Sequence, residues 1–405
     1  MLYSQTVDAP RYVSVKFQGV TLQYKHVFFA TTSLIACAIS SNALAQSERD
    51  RIRNLEDKVN ILQQQINATA DAVESSEPEQ DRATFGSYGE LHYNNFLNGD
   101  DSEIDFHRFV LLFGYEFSDA INFYSELELD HAVSGGEAED ENPGEVELEQ
   151  AFIDFALTDT THAQGGLFLV PVGILNETHE PNTFYGVERN QVETEIIPTT
   201  WREGGGQLLG QIGATGLSYN FAVTSGFAVD SDEIDIRDGR QSTAEALAND
   251  PAVTGRLKYT GIPGLELATT VQYQTDFSQE DSDGVNGAYL YEAHAQWATG
   301  PFALRALYAR WNISGAAADA LERDQPFGYY VEPAFKITPG VGIFARYSEF
   351  ELVEDLPEEN ITFGANYWPI PQVVLKADYE LRDSEQADGS TLDGDSVNVG
   401  LGYAF

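Results

Sequence analysis

One cysteine, one methionine and only 22 lysines and arginines stand in this chain of 405 residues, and each scarcity removes a class of function. The cysteine, Cys37, lies inside an export signal. After cleavage no thiol remains for a disulfide, a redox centre or a thiolate metal site. Against the 22 bases stand 65 acids, for a formal net charge of −43. Polyphosphate binding needs a basic face, so nucleic acid is excluded as a partner. The apolar run Val27 to Ile39 is shorter than the about 20 residues a membrane-spanning helix needs, and Thr31, Thr32 and Ser33 interrupt it. The histidines His92, His107, His131, His162, His179 and His294 are scattered, with no nucleophile motif beside them. No catalytic residue, metal site or cofactor is read from them. What the chain does have is glycine (35), phenylalanine (24) and tyrosine (20), a profile that suits β-structure.

Residues 1–45 read as a signal peptide: Lys25-His26, then the apolar run, then Ala43-Leu44-Ala45 before Gln46, the small-residue pattern of a cleavage site. Leu34-Ile35-Ala36-Cys37 also resembles a lipoprotein cleavage box, which would place a lipid on Cys37. The first 24 residues add nothing that a signal peptide requires, as an over-called start codon would. Export removes Arg11, Lys16 and Lys25 with Asp8, which leaves the remaining chain more acidic still.

Within residues 46–78 the positions Ile52, Leu55, Val59, Leu62, Ile66, Thr69 and Val73 alternate spacings of three and four, the seam of a short α-helical coiled coil. Arg51-Ile52-Arg53-Asn54-Leu55-Glu56 resembles a pattern of trimeric coiled coils, although the simple packing rule for these apolar positions favours two strands. A single amphipathic helix lying on the rest of the protein is the alternative. So few heptads are not stable without help from a larger partner.

From residue 84 to 405 the period becomes two. Leu265, Leu267, Thr269, Val271 and Tyr273 alternate with Glu266, Ala268, Thr270, Gln272 and Gln274, one face for lipid and one for water. Such segments fall at 84–94, 104–117, 120–131, 145–157, 162–172, 204–213, 216–224, 251–259, 263–275, 286–298, 300–310, 327–337, 341–350, 358–367, 371–382 and 394–405. Short connections alternate with long ones throughout. The expected fold is all-β: a sixteen-stranded antiparallel transmembrane β-barrel of the Gram-negative outer membrane, both ends facing the periplasm. Val397, Val399, Leu401, Tyr403 and Phe405 finish the chain on an aromatic residue, as the sorting signal of outer-membrane proteins does. Outer-membrane lipid and lipopolysaccharide are the expected surroundings, and a soluble β-sandwich is the alternative fold.

A coiled coil, then Asp105-Phe106-His107-Arg108 opening a strand, then Gly165-Gly166-Leu167-Phe168 leading to Pro171-Val172-Gly173 and a long loop with Gly186-Val187-Glu188-Arg189 resemble the phosphate-selective porin O and P family over roughly residues 46–405. The resemblance implies a homotrimer of sixteen-stranded barrels that pass small polar solutes or ions. It also implies that the third external loop folds into the lumen, here Ile174 to Glu203. That loop carries His179 to Tyr185 and Ile196 to Trp201, apolar content odd in water and sensible inside a barrel. A long surface flap is the other reading of it. The family's phosphate selection needs a cationic ladder and a lysine cluster, and this loop has no lysine.

The expected constriction set is Glu177, Glu180, Glu188, Arg189, Glu193, Glu195 and Arg202, and the expected pore wall is Arg108, Glu126 and Glu128 facing Arg256, Lys258, Arg305, Lys336, Arg346 and Lys376. Opposed walls set a transverse field that orders polar solutes; the bland reading is that the charges only solvate a wide lumen. Four functions follow: a diffusion porin, an anion- or phosphate-selective channel, and, from other classes, a barrel hydrolase or a structural barrel. For the coiled coil, deletion of residues 47–75 is expected to lower the oligomeric state in native mass measurements while the barrel survives. A monomer before and after deletion contradicts it.

Overall fold

The computed structural model describes residues 82–97, 102–132, 144–280, 284–385 and 390–405. Ahead of these it describes an antiparallel pair, Val15–Phe17 with Val20–Leu22, and residues 58, 59, 61, 62, 64 and 65, which are helical. Val59 and Leu62 of the heptad seam are on this helix and exposed. The other seam positions, and the signal peptide apart from the strand pair, lie outside the described residues. The chain divides into two compact units, residues 1–79 and 80–405.

The second unit is a closed antiparallel barrel of sixteen long strands. In chain order they are β1 (Ala83–Phe96), β2 (Glu103–Ser118), β3 (Ile121–Asp130), β4 (Val146–Thr158), β5 (Thr161–Leu169), β6 (Arg202–Gln211), β7 (Leu217–Thr224) and β8 (Ala252–Ile262). The second half is β9 (Leu265–Gln274), β10 (Ala288–Thr299), β11 (Phe302–Ile313), β12 (Phe327–Thr338), β13 (Val341–Glu351), β14 (Pro357–Ile370), β15 (Val373–Glu385) and β16 (Ser396–Ala404). Each strand pairs with the next, and β16 returns to β1 with Leu401 opposite Leu91. A short segment, Thr391–Asp393, prolongs the ladder on β15. Every expected strand is present, within a few residues of the period-two reading.

The alternation is inside out relative to a soluble protein. On β1, Phe85, Leu91 and Tyr93 are exposed while Glu90, His92 and Asn94 are buried. On β9, Leu267 and Val271 face outward while Ala268, Thr270 and Gln272 face inward. Lipid is the solvent the outer row meets, so its apolar side chains need no cover.

Away from the short turns, two β-bulges interrupt the alternation. On β2 the register slips between the pairs Glu90 with Arg108 and His92 with Asp105, so Asp105, His107 and Arg108 all lie on the lumen side. On β4 it slips at Glu149, which becomes fully buried and faces inward. Simple alternation had left Glu149 off the inward set.

The lumen is not uniformly polar. Inward positions of β10 to β13 carry Leu290, Leu307, Trp311, Ile313, Tyr330 and Phe350, and these form one buried cluster with Val170, Ile174, Ile196, Ile197 and Trp201 of the β5–β6 loop and Phe227, Ile234 and Phe277 of the two long loops that follow. A protein-like core thus sits inside the barrel at its long-loop end. The first of those loops leaves from a glycine-paired stretch, where Gly165 and Gly166 face Gly206 and Gly205. Gly166 has φ +140°, and a Cβ there would come within 2.7 Å of Phe152 Cα. Gly166→Ala is expected to cost about 1–3 kcal/mol, seen as a lower unfolding temperature in detergent; an unchanged temperature would show that the strand pair can open.

Candidate functional site

The connection between β5 and β6, residues 170–201, crosses the lumen and touches walls on opposite sides. Asn176 closes its base: the side-chain amide donates to the carbonyls of Val170 (2.8 Å) and Trp201 (2.9 Å) and accepts from Trp201 N (2.6 Å). Glu193, fully buried, accepts from the backbone N–H of Ile174 and Leu175 and from the Tyr330 hydroxyl at 2.7, 2.6 and 2.7 Å. Trp311 donates its indole N–H to the Ile196 carbonyl at 2.8 Å. On the far side, Asp378 accepts from Val187 N and Asn366 donates to the Phe184 carbonyl.

The acidic wall grips the middle of the same loop. Tyr88 donates to Glu126 at 2.6 Å, and His179 Nε2 stands 2.8 Å from the Tyr88 hydroxyl, 3.7 Å from Glu126 and 3.6 Å from Glu149. His179 Nδ1 is 3.3 Å from the Asn176 carbonyl. Both ring nitrogens face acceptors, so the doubly protonated ring is the form that satisfies them. Burial opposes that charge, but hydrogen bonds to Glu126 and Glu149 outweigh it and carry the pKa up from 6.5 to about 9. Arg108 pairs with Glu90 at 2.6 Å, donates to the His179 carbonyl at 2.7 Å and lies over the Tyr88 ring.

The expected basic wall has a similar position. Arg256 pairs with Glu177, Arg305 donates to the Thr183 carbonyl and lies 3.9 Å from Glu332, and Arg346 pairs with Glu332. Lys376 sits 3.5 Å above the Phe184 ring. Arg256, Arg346 and Lys376 are each 6% exposed or less, underneath the loop. Lys258 pairs with Glu266, and Lys336, exposed near the short-turn rim, lies over Trp368. Among the acids expected at the constriction, Glu193 is enclosed by the loop it holds, Glu180 and Glu195 are half-buried, and Glu188 bonds His92 (2.8 Å) and Asn94 (3.0 Å).

Arg189 and Arg202 do meet the acidic wall, and they do so with two arginines that the sequence did not single out. A polar cavity of about 250 Å³ is lined by Arg189, Arg202, Arg237 and Arg240 on one side and Glu128, Asp130, Glu147 and Glu149 on the other. Arg237 and Arg240 belong to the β7–β8 loop and lash it to the first loop, donating to the carbonyls of Thr194, Thr199, Pro198 and Thr200. Arg202 pairs with Glu147 at 2.7 Å. Nothing periodic marks Arg237 and Arg240 in the sequence, so only their place in a long loop could have suggested them.

A sequence model of the phosphate-selective porin O and P family matches residues 253–405. An uncharacterized protein of Aquifex aeolicus (strain VF5) is 32% identical over 337 residues, 74% of this chain and 76% of that protein. The chain belongs to the phosphate-selective porin O and P family. Solved structures agree on the fold. The outer-membrane channel DcaP of Acinetobacter baumannii superposes with a TM-score of 0.56 at 13% identity, covering 80% of this chain and 97% of DcaP. An anion-selective porin from Comamonas acidovorans does so with a TM-score of 0.55 at 13% identity, covering 80% and 99%. Family and fold make this protein a porin-type channel of the Gram-negative outer membrane.

The His179 contact gives the porin a pH signature. A pKa raised on folding stabilises in full below about 6.5, and that stability is lost as pH rises through about 9. The groups facing the ring are Tyr88, Glu126, Glu149 and Arg189. Heat resistance on gels is expected to fall between pH 7 and 10 by an increment on the order of 2 kcal/mol that is missing in His179→Gln. Equal pH profiles for both proteins would contradict it.

Proposed function

We propose that this porin passes small polar and charged solutes by passive diffusion, through a lumen narrowed by the β5–β6 loop. The observation that carries the reading is the cavity beside that loop in which Arg189, Arg202, Arg237 and Arg240 meet Glu128, Asp130, Glu147 and Glu149. Opposed charges at that separation impose a transverse field, which orients dipolar solutes and disfavours apolar ones without any covalent step. The path runs past this cavity, where Asp130, Glu147 and Arg189 keep part of their surface exposed. Arg189 and Arg202 then act at the constriction against Glu128 and Glu147, while Glu177 and Glu193 keep the loop folded. The short-turn rim faces the periplasm, and three chains associate with the help of the helix before the barrel. Lipopolysaccharide borders the long-loop rim.

A second reading, an anion channel, rests on the same four arginines. The two differ in sign. With an overall charge of −43 and acids lining the open side, the first reading gives a weak preference for cations. Neutralising Asp130 and Glu147 (Asp130→Asn, Glu147→Gln) is expected to move the reversal potential toward anions at every salt concentration. These groups lie within a Debye length, ~8 Å at physiological salt, of the path. Wild-type protein that already prefers chloride or phosphate to potassium, or variants with an unmoved reversal potential, would sink the cation reading. Replacing residues 178–195 by a short Gly-Ser linker is expected to raise single-channel conductance at least twofold and, since the loop carries the luminal core, to lower heat resistance.

A further inference from the structure

The histidines that look scattered in the sequence are not scattered in space. His107 Nδ1 and His131 Nδ1 both reach the same carboxylate oxygen, Asp105 Oδ2, at 3.2 and 2.8 Å. One ligand atom from each of the three residues lies within 4.8 Å of the other two. The site is made by the β2 bulge, which turns His107 to the lumen side next to Asp105, and by the end of β3, where His131 takes φ +49° and is carried over the same carboxylate. A bulge that re-aims one side chain is a common way to build a site on a sheet edge.

The surroundings orient the rings as metal ligands are oriented. The His107 ring stacks on His92 with centroids 4.8 Å apart and planes at 15°, and His92 is itself fixed between Glu90 and Glu188. The second nitrogen of His131, Nε2, faces Asp130 Oδ2 at 3.5 Å. A carboxylate behind a ligating imidazole is the usual outer partner of such a ligand. His107 and His131 also line the polar cavity, so an ion held here has solvent on its open side.

We propose that Asp105, His107 and His131 bind one divalent transition-metal ion, zinc or nickel in class, at the outer mouth of the lumen. Two imidazoles and one carboxylate suit these ions, whose bonds of about 2.0–2.2 Å draw the three atoms inward in place of the present His–Asp contacts. Calcium and magnesium prefer oxygen ligands and are excluded by the two nitrogens. The remaining coordination positions point to water, so the ion exchanges with the outside medium. An ion at this point adds positive charge beside the acidic wall and thereby lowers cation passage.

The test is direct binding to the purified full chain in detergent, stripped with chelator, and its readout does not depend on the channel reading. Zinc titrated by calorimetry is expected to bind once per chain with a micromolar Kd, at least tenfold weaker in His131→Gln and in Asp105→Asn, and to survive a tenfold excess of calcium. A second measurement on the wild-type protein needs no variant. Zinc should protect His107 and His131 from diethyl pyrocarbonate, read by peptide mass spectrometry, and leave His162 as reactive as before. Absence of saturable binding, wild-type affinity in the variants, displacement by calcium, or unprotected His107 and His131 would each overturn the proposal.

Discussion

No backbone N–H or C=O can be left unpaired in hydrocarbon, and closing a sheet on itself is the way a β-chain meets that demand. The ladder from β1 to β16 and back satisfies it. The rest of the design follows. A closed ladder fixes which side chains meet lipid and which meet the lumen, so charge is admitted only at every second position. The chain can therefore carry 65 acids and still have an apolar exterior. Where the ladder slips, at His107 and at Glu149, the interior gains a group that regular alternation would have faced outward.

Inside, the β5–β6 loop changes what the inward charges do. Arg108, Arg256, Arg305 and Arg346 all reach loop carbonyls or loop-facing carboxylates rather than an open channel. Buried charges of this kind contribute little net stability unless every partner is present, but removing one partner is costly. They define where the loop sits more than how firmly. Firmness comes from the apolar cluster around Trp201, Phe227, Phe277 and Trp311, whose ring centroids lie 4.9 to 6.2 Å apart. The lumen is thus part core and part aqueous passage, and the passage is the remainder.

How much of this is legible in the sequence depends on its period. Strand number, strand ends, the alternation of short and long connections and the inward set from Glu90 to Lys376 all follow from a repeat of two, which lipid enforces at every strand. The inward fold of the loop was legible from apolar residues such as Ile196, Ile197 and Trp201 in a place where water would not tolerate them. Partner choice was not legible. Nothing local says that Glu193 turns to its own loop, that Arg237 and Arg240 reach back across a neighbouring loop, or that His131 arrives over Asp105. Those pairings arise from bulges, from one left-handed residue and from long-range packing. The apolar inward face of β10 to β13 was readable from Leu290, Leu307 and Trp311, but reading the lumen as uniformly wet hides it.

The central claim is that the β5–β6 loop is docked inside the barrel while the channel conducts. Val187 on the loop and Gly400 on β16 provide the most direct test, since a Cβ at Gly400 would lie 3.1 Å from a methyl of Val187. With Cys37, the only natural cysteine, replaced by serine, the double variant Val187→Cys and Gly400→Cys should form a disulfide on mild oxidation. Single-channel conductance should then be the same before and after reduction. Failure of the disulfide to form in folded protein, or conductance that rises severalfold when it is reduced, would contradict a loop that stays docked.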